Sequence, residues 1–376
     1  MISIYEKIDE LDTPALILDL DVLENNIKRM SNICKKSDVK LRPHIKTHKM
    51  PIIAHLSIDA GAVGIAVAKL GEAEVMEASG IKDIMIANQI IGEYKIKRLI
   101  NLSRRIKISS LVDSIEGARM LSEMAVKERI NLIVYLEINI GMNRCGVSSG
   151  EAAVEMAKSI SLLPNLNLVG ILGFRSVWYK QLPKYNQNII WELGIEEGKI
   201  LVENAEKIRK AGVQITEVVA GSTPTSAGAS TVPGVTEVQP GTHVFNDIMT
   251  ASVGGCEIKD CAASVIVTVI SKPTARRAII DAGTKTLVGD YGSECFPSIV
   301  EGHGLIKNKK GVILKNYSEE HGELLLDSDC DINIGDRLEI IPNHICPVVN
   351  TFDEIIGVRN GQIEVVWPIL ARGKAK

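Results

Sequence analysis

Over the first two-thirds of the chain, short runs of aliphatic and β-branched residues alternate with stretches whose apolar positions recur every three or four residues. The runs at 40–45, 63–67, 84–87, 107–112, 132–138, 168–172, 217–220 and 236–238 predict eight strands. The stretches at 70–80, 114–128, 150–160 and 195–212 predict helices, the last stopping at Gly212. Strands separated by helical crossovers predict a parallel sheet, and eight of them predict a TIM-like (β/α)8 barrel over 21–252. After residue 253 the helical period disappears. Runs at 262–271, 276–283, 311–316, 336–344, 354–361 and 362–370, punctuated by Gly, Asp and Asn, predict a C-terminal all-β domain over 253–376. PALILDL (14–20) is an extra strand ahead of the barrel.

Composition narrows the classes. A net charge of −3 over 376 residues creates no global field toward nucleic acid or anionic lipid. The 7 cysteines include no C-x-x-C pair, which fits a reduced, cytoplasmic chain. The stretch MISIYEKIDELDTPA is acidic and lacks the apolar centre of a signal peptide, and no apolar run reaches membrane-spanning length.

Four segments carry chemistry. In RPHIKTHK (42–49), Lys46 falls at the end of the first predicted strand, where barrel side chains face the catalytic bowl. Crowded by Arg42, His44, His48 and Lys49, it would lose basicity, as an imine-forming lysine must; a salt-bridged rim fits the same run. GSTPTSAGAS (221–230) and QPGTHVFND (239–247) follow the last two barrel strands, where backbone N–H groups often bind phosphate and where plain turns also occur. In IGMNRCGV (140–147), Arg144 sits between glycines and can aim its fork at a ligand oxygen or at solvent. In IPNHICPVVN (341–350), His344 and Cys346 would face one way on an extended segment. Imidazole with thiolate favours zinc, while a buried cysteine beside a satisfied histidine fits as well.

Taken in order, LDTPALILDLDVLENNI, RPHIKTHK, GEAE, GMNRCGV, GSTPT, QPGTHVFND, DAGTK, SEEHG and PNHICP resemble the alanine racemase-like, fold-type III pyridoxal-phosphate enzymes. The nearer resemblance is to their D-serine dehydratase and D-threonine aldolase branch. It spans nearly the whole chain, and RPHIKTHK together with PNHICP is its specific part. The resemblance implies that Lys46 carries pyridoxal 5'-phosphate, that Arg144 reaches its phenolic oxygen, and that Ser222, Thr223, Gly241 and Thr242 hold its phosphate. It puts Gln239 at the pyridine nitrogen, leaving that nitrogen largely unprotonated, and Phe174 on the ring face. His344 and Cys346 become a divalent-metal pair, zinc by preference, with no acidic residue nearby in sequence. Arg175 and His243, where this chain departs from the pattern, become candidate substrate contacts. Residues 1–20 join the β domain, and two chains form a homodimer with shared active sites.

The activity so implied is a lyase acting on a small-molecule β-hydroxy-D-amino acid. The reading favoured is a D-serine or D-threonine dehydratase, releasing a 2-oxo acid and ammonia; the alternative is an aldolase releasing glycine and an aldehyde. A racemase has no use for a metal pair, and a non-catalytic pyridoxal-phosphate carrier would resemble the barrel alone. A metal-only hydrolase would keep Lys46 as a salt bridge. Nucleic acid and membrane are not expected partners.

Overall fold

A computed structural model of the chain describes residues 7–175, 187–290, 292 and 299–376. Strand β1 (Ala15–Asp19) comes first, followed by the barrel strands β2 (Lys40–Leu41), β3 (Ile65–Val67), β4 (Asp83–Gln89), β5 (Lys107–Val112) and β6 (Leu132–Asn139). The short β7 (Val147–Ser148) leads to β8 (Leu166–Gly173), β9 (Glu217–Ala220) and β10 (Glu237–Val238). Their order is β2-β10-β9-β8-β6-β5-β4-β3, every neighbour parallel, with β7 attached to β6. Val63 N donates to Leu41 O at 2.9 Å and Ala66 N to Pro43 O at 2.8 Å, so β2 meets β3 and the ring closes. Closure removes both sheet edges, which satisfies the backbone without a covering layer.

Amphipathic helices wrap the outside, their apolar faces packed on the strands around a large shared core. Caps set their starts: Asp19 accepts from Val22 N at 3.0 Å and Ser114 from Gly117 N at 3.2 Å. Inside the ring, Met85, Leu111, Tyr135, Leu172 and Val219 pack together and fill one end. The space left open is at the other end, above the strand C-termini.

The second domain is a mixed sheet of β11 (Ala263–Thr274), β12 (Arg277–Ile280), β13 (Gly304–Ile306), β14 (Val312–Tyr317), β15 (Gly322–Leu326), β16 (Arg337–Pro342), β17 (Glu354–Arg359) and β18 (Gln362–Pro368). Strand β1 lies inside this sheet, antiparallel to β11 with Ala15 opposite Ile266, and parallel to β17 with Ile17 opposite Ile356. The first strand of the chain thus sits between two strands from its far end.

Two elements differ from the sequence pattern. The helix expected from residue 195 runs Gln187–Lys210, because its early turns pack on the short helix Ser226–Ala229, a contact no local window contains. The strand expected over 336–344 stops at Pro342, and Ile345–Val349 is helical. Asp247 Oδ2 accepts from Ile345 N at 3.1 Å, a cap supplied by another part of the chain. Cys346 therefore lies in the first turn of a helix rather than on an extended segment. That helix packs on the 3-10 turn Ile45–Thr47 at the barrel mouth and joins the two domains there.

Candidate active site

A cavity of about 760 Å³ opens at this junction. Its barrel wall begins with RPHIKTHK, whose basic residues separate by their partners. Arg42 is buried and donates to Glu237 Oε1 at 2.9 Å and Asp83 Oδ1 at 2.6 Å. Lys49 reaches Glu72 Oε1 at 2.6 Å. His44 Nδ1 accepts from Lys46 N at 3.3 Å, and burial together with Lys46 holds its pKa well below the ordinary histidine range. His48 is buried and pushed down to about 3, again by burial first. Of the run's lysines and arginine, only Lys46 lines the cavity with no carboxylate partner among the described residues. Burial among protein groups lowers its pKa; Arg144 adds to this, while Cys346 and Glu72 oppose it.

Lys46 Nζ lies 5.6 Å from the centroid of the Phe174 ring, and the Arg144 guanidinium carbon lies 5.3 Å from the same point. Both basic groups thus lie within cation–π reach of the Phe174 ring. The Arg144 turn is fixed from below: Asp113 Oδ2 accepts from Gly146 N at 3.0 Å, and Asn139 Oδ1 from Gly141 N at 3.0 Å. Gly146 has φ +96°, and a Cβ there would lie 2.6 Å from Asn139 N, so the turn requires glycine. Asp113, Glu137 and Cys145 form a group within 4.8 Å beside it. Both carboxylates are engaged, Asp113 by that turn and Glu137 by Gln89 Nε2 at 2.5 Å.

Ser222, Thr223, Gly241 and Thr242 line one side of the cavity. Thr223 Oγ1 accepts from Gly241 N at 3.1 Å and His243 N at 3.2 Å, tying the two loops together. Backbone N–H groups of Ser222, Thr223 and Thr242 have no acceptor among the described residues. Such orphaned donors beside hydroxyls suit a phosphate. Gln239 also lines the cavity, with Nε2 held by Glu237 Oε1 at 3.1 Å and Met85 Sδ at 2.9 Å.

His344 and Cys346 enter from the β domain and complete the opposite wall. Thr47 Oγ1 lies 3.2 Å from Cys346 Sγ, so the residue after Lys46 touches the thiol. Burial alone would raise Cys346, but His344 pulls its pKa down. Burial would lower His344, yet Cys346, Asp290 and Asp247 push it up to about 11. Asp290 Oδ2, 2.8 Å from His344 Nδ1, is an acidic partner that sequence reasoning missed. It lies 54 residues away, so no local spacing could signal it. With Nδ1 so engaged, Nε2 and the Cys346 sulfur offer a nitrogen–sulfur donor set that fits zinc.

Two expected contacts are corrected. Arg175 does not line the cavity; its guanidinium pairs with Glu196 Oε2 at 2.9 Å. The residues that follow Arg175, 176–186, lie outside the described residues. His243 is buried, facing a separate cavity of about 210 Å³ behind the Thr223 loop. The 3-10 turn Thr242–Val244 sends consecutive side chains to opposite sides, Thr242 forward and His243 back. Residues 373–375, which carried no motif, line the mouth.

A parallel barrel with a lysine at its rim that has no carboxylate partner among the described residues, two hydroxyl-bearing loops with orphaned N–H donors across the bowl and a β domain facing them defines a class of pyridoxal-phosphate barrel enzymes. The alanine racemase N-terminal domain matches residues 18–247, and a putative serine dehydratase domain matches 262–358. A D-threonine aldolase of an Arthrobacter species is 31% identical over 98% of this chain and 94% of its own. D-threo-3-hydroxyaspartate dehydratase of a Delftia species is 33% identical over 89% of this chain and 91% of its own. Two solved variants of a D-threo-3-hydroxyaspartate dehydratase are also similar, each with TM-score 0.89 and 30% identity. One replaces a histidine, covering 96% of both chains; the other replaces a cysteine two positions later, is metal-free, and covers 97% of this chain and 99% of its own. The chain belongs to the alanine racemase-like, fold-type III pyridoxal-phosphate family, in the branch whose members are carbon–carbon and carbon–oxygen lyases. Among the described residues, no helix is long and apolar enough to cross a membrane.

Proposed function

We propose that the chain is a pyridoxal-phosphate- and metal-dependent dehydratase of β-hydroxy-D-amino acids, forming a 2-oxo acid and ammonia. The observation that carries this is the meeting of Lys46 with His344 and Cys346 across one cavity, with Thr47 against the thiol. Bound pyridoxal phosphate would supply an electron sink for charge left at the substrate Cα. Lys46 would hold it, Arg144 and Phe174 would flank its ring, and Ser222, Thr223 and Thr242 would take its phosphate. With its pKa lowered, Lys46 is suited to take the Cα proton. A zinc ion held by His344 and Cys346 would supply Lewis acidity at the β-hydroxyl. Asp290 would orient the imidazole, and Thr47 would steady the thiolate.

The relative whose cysteine variant is metal-free is a dehydratase with a histidine two positions earlier, the spacing of His344 and Cys346. That match favours carbon–oxygen over carbon–carbon cleavage. The aldolase reading is kept by the D-threonine aldolase, similar over nearly the full chain. Incubation with D-serine, D-threonine, D-threo-3-hydroxyaspartate and their L-forms tests both, scoring 2-oxo acid and ammonia against glycine and aldehyde. Glycine as the main product would replace the first reading with the second; neither product from any D-substrate would overturn both. The proposed assembly is a homodimer, and a monomer by sedimentation at working concentration would contradict it.

A further inference from the structure

The cavity mouth is lined on one side by a segment that no motif announced. After β18, Ile369 and Ala371 are buried, and Ala371 N donates to Lys49 O at 3.0 Å. Gly373 N donates to Asn350 Oδ1 at 2.9 Å, and Gly71 N donates to Lys376 O at 2.8 Å. The segment thus crosses from the end of the Ile345–Val349 helix, one turn past Cys346, to the start of the barrel helix Leu70–Ala78. Its seat is close: a Cβ on Gly71 would lie 2.8 Å from Lys376 O and 3.3 Å from Lys374 Cβ. Gly373, Lys374 and Ala375 all line the cavity.

The charges there do not balance. The lining lysines and arginine are Lys46, Lys49, Lys69, Arg144 and Lys374, against Glu72 and Glu137, with His344 paired to Asp290. Glu72 is taken by Lys49, and Glu137 by Gln89. Lys46 and Arg144 belong to the cofactor side. Lys69 and Lys374 remain, neither with a carboxylate partner among the described residues. Of the two, Lys374 is on the segment that bridges the two walls: Gly373 before it is bonded to Asn350, one turn past Cys346, while its own exposed stem lies beside Gly71 at the start of the barrel helix.

We infer that Lys374 is a specificity residue: it binds a carboxylate at the far end of the substrate side chain, beyond the hydroxyl that faces His344 and Cys346. The substrate class is then a β-hydroxy-D-amino acid with an acidic side chain. This rests on the lyase reading above, and it replaces Arg175 and His243, which face elsewhere. An ammonium on a flexible stem suits such a contact, because it can follow side chains of different length.

The test separates binding from turnover. D-aspartate and D-alanine lack the β-hydroxyl, and their dissociation constants are measured on the cofactor-loaded wild type and on Lys374→Met by the change in visible absorption. Wild type should prefer D-aspartate, and Lys374→Met should lose that preference by about 10- to 100-fold, the worth of one charge-assisted hydrogen bond. Lys374→Arg should restore most of it. In turnover, kcat/KM of Lys374→Met should fall more for D-threo-3-hydroxyaspartate than for D-threonine, through KM. Equal weakening of both ligands would assign Lys374 to the α-carboxylate, and no weakening would leave it a rim residue; either overturns the inference. Both outcomes differ from the absence of turnover on every β-hydroxy-D-amino acid, which would instead defeat the lyase reading.

Discussion

The barrel wall and the β-domain wall of the cavity treat charge in opposite ways. On the barrel side, burial pushes basic groups toward their neutral forms: His44 lies well below its ordinary range and Lys46 is lowered. On the other side, burial acts on His344 in the same direction and is overridden, since Cys346, Asp290 and Asp247 raise it to about 11. The thiol beside it is lowered in return. Depth is therefore not what separates the two walls; the presence of an opposite charge is. A lysine stripped of carboxylates is ready to act as base or nucleophile. A histidine and a cysteine, held by carboxylate and hydroxyl, are placed to exchange their protons for a metal.

Lys46→Ala should have the largest effect. Turnover should fall at least about 10³-fold, and purified protein should lose its visible absorption. Retained absorption would mean that the barrel wall does not hold the cofactor through this residue. Cys346→Ala should separate the walls: metal content drops toward zero and turnover by about 100-fold, while visible absorption stays. Loss of absorption as well would show that the two walls are not independent.

A third variant addresses stability. Arg42→Met leaves Glu237 buried beside an apolar side chain, and should cost about 3–5 kcal/mol in urea unfolding. A shift under about 1 kcal/mol would mean that Glu237 is content without its partner.

The smallest effect concerns pH. Glu197 lies buried beside the loop that starts at Gly221, with Oε1 accepting from Gly221 N at 3.0 Å, and burial pushes its pKa up to about 7. Thr225, Gly221 and Arg175 oppose that shift. The folded chain thus keeps a proton that the unfolded chain loses nearer the ordinary value of 4.5. Its contribution to stability is full below about 4.5 and fades as pH rises through about 7. Glu197→Gln should flatten that part of the unfolding profile. An unchanged slope would show that the barrel side does not hold this carboxyl neutral.

Much of the fold was legible because barrel and sheet obey different periods, and a period is a local property. The strand at 107–112 and that at 217–220 lie where the pattern put them. The helix at Ile345–Val349 did not, because its cap, Asp247, is about a hundred residues away in sequence. The cavity shows the same division. Lys46, Arg144, Ser222, Thr223, Gln239, Gly241, Thr242, His344 and Cys346 were named within motifs and Phe174 from the family resemblance, and all of them line it. Arg175 and His243 were named for their place in the chain, but a salt bridge and a turn direct them elsewhere. Asp290 and Lys374 carried no motif, since each gains meaning only from a neighbour distant in sequence.

RPHIKTHK draws the line most sharply. The sequence determined that a basic run would stand at the end of a barrel strand, because strand period and chain order are written locally. It did not determine which of its cations would be free. Arg42 is neutralised by Glu237 and Asp83, 195 and 41 residues away, and Lys49 by Glu72, 23 residues away. Closing the barrel brings those carboxylates to Arg42 and Lys49 and leaves Lys46 none among the described residues. A lysine's basicity depends on the charges and solvent around it, and those are set by the folded chain as a whole.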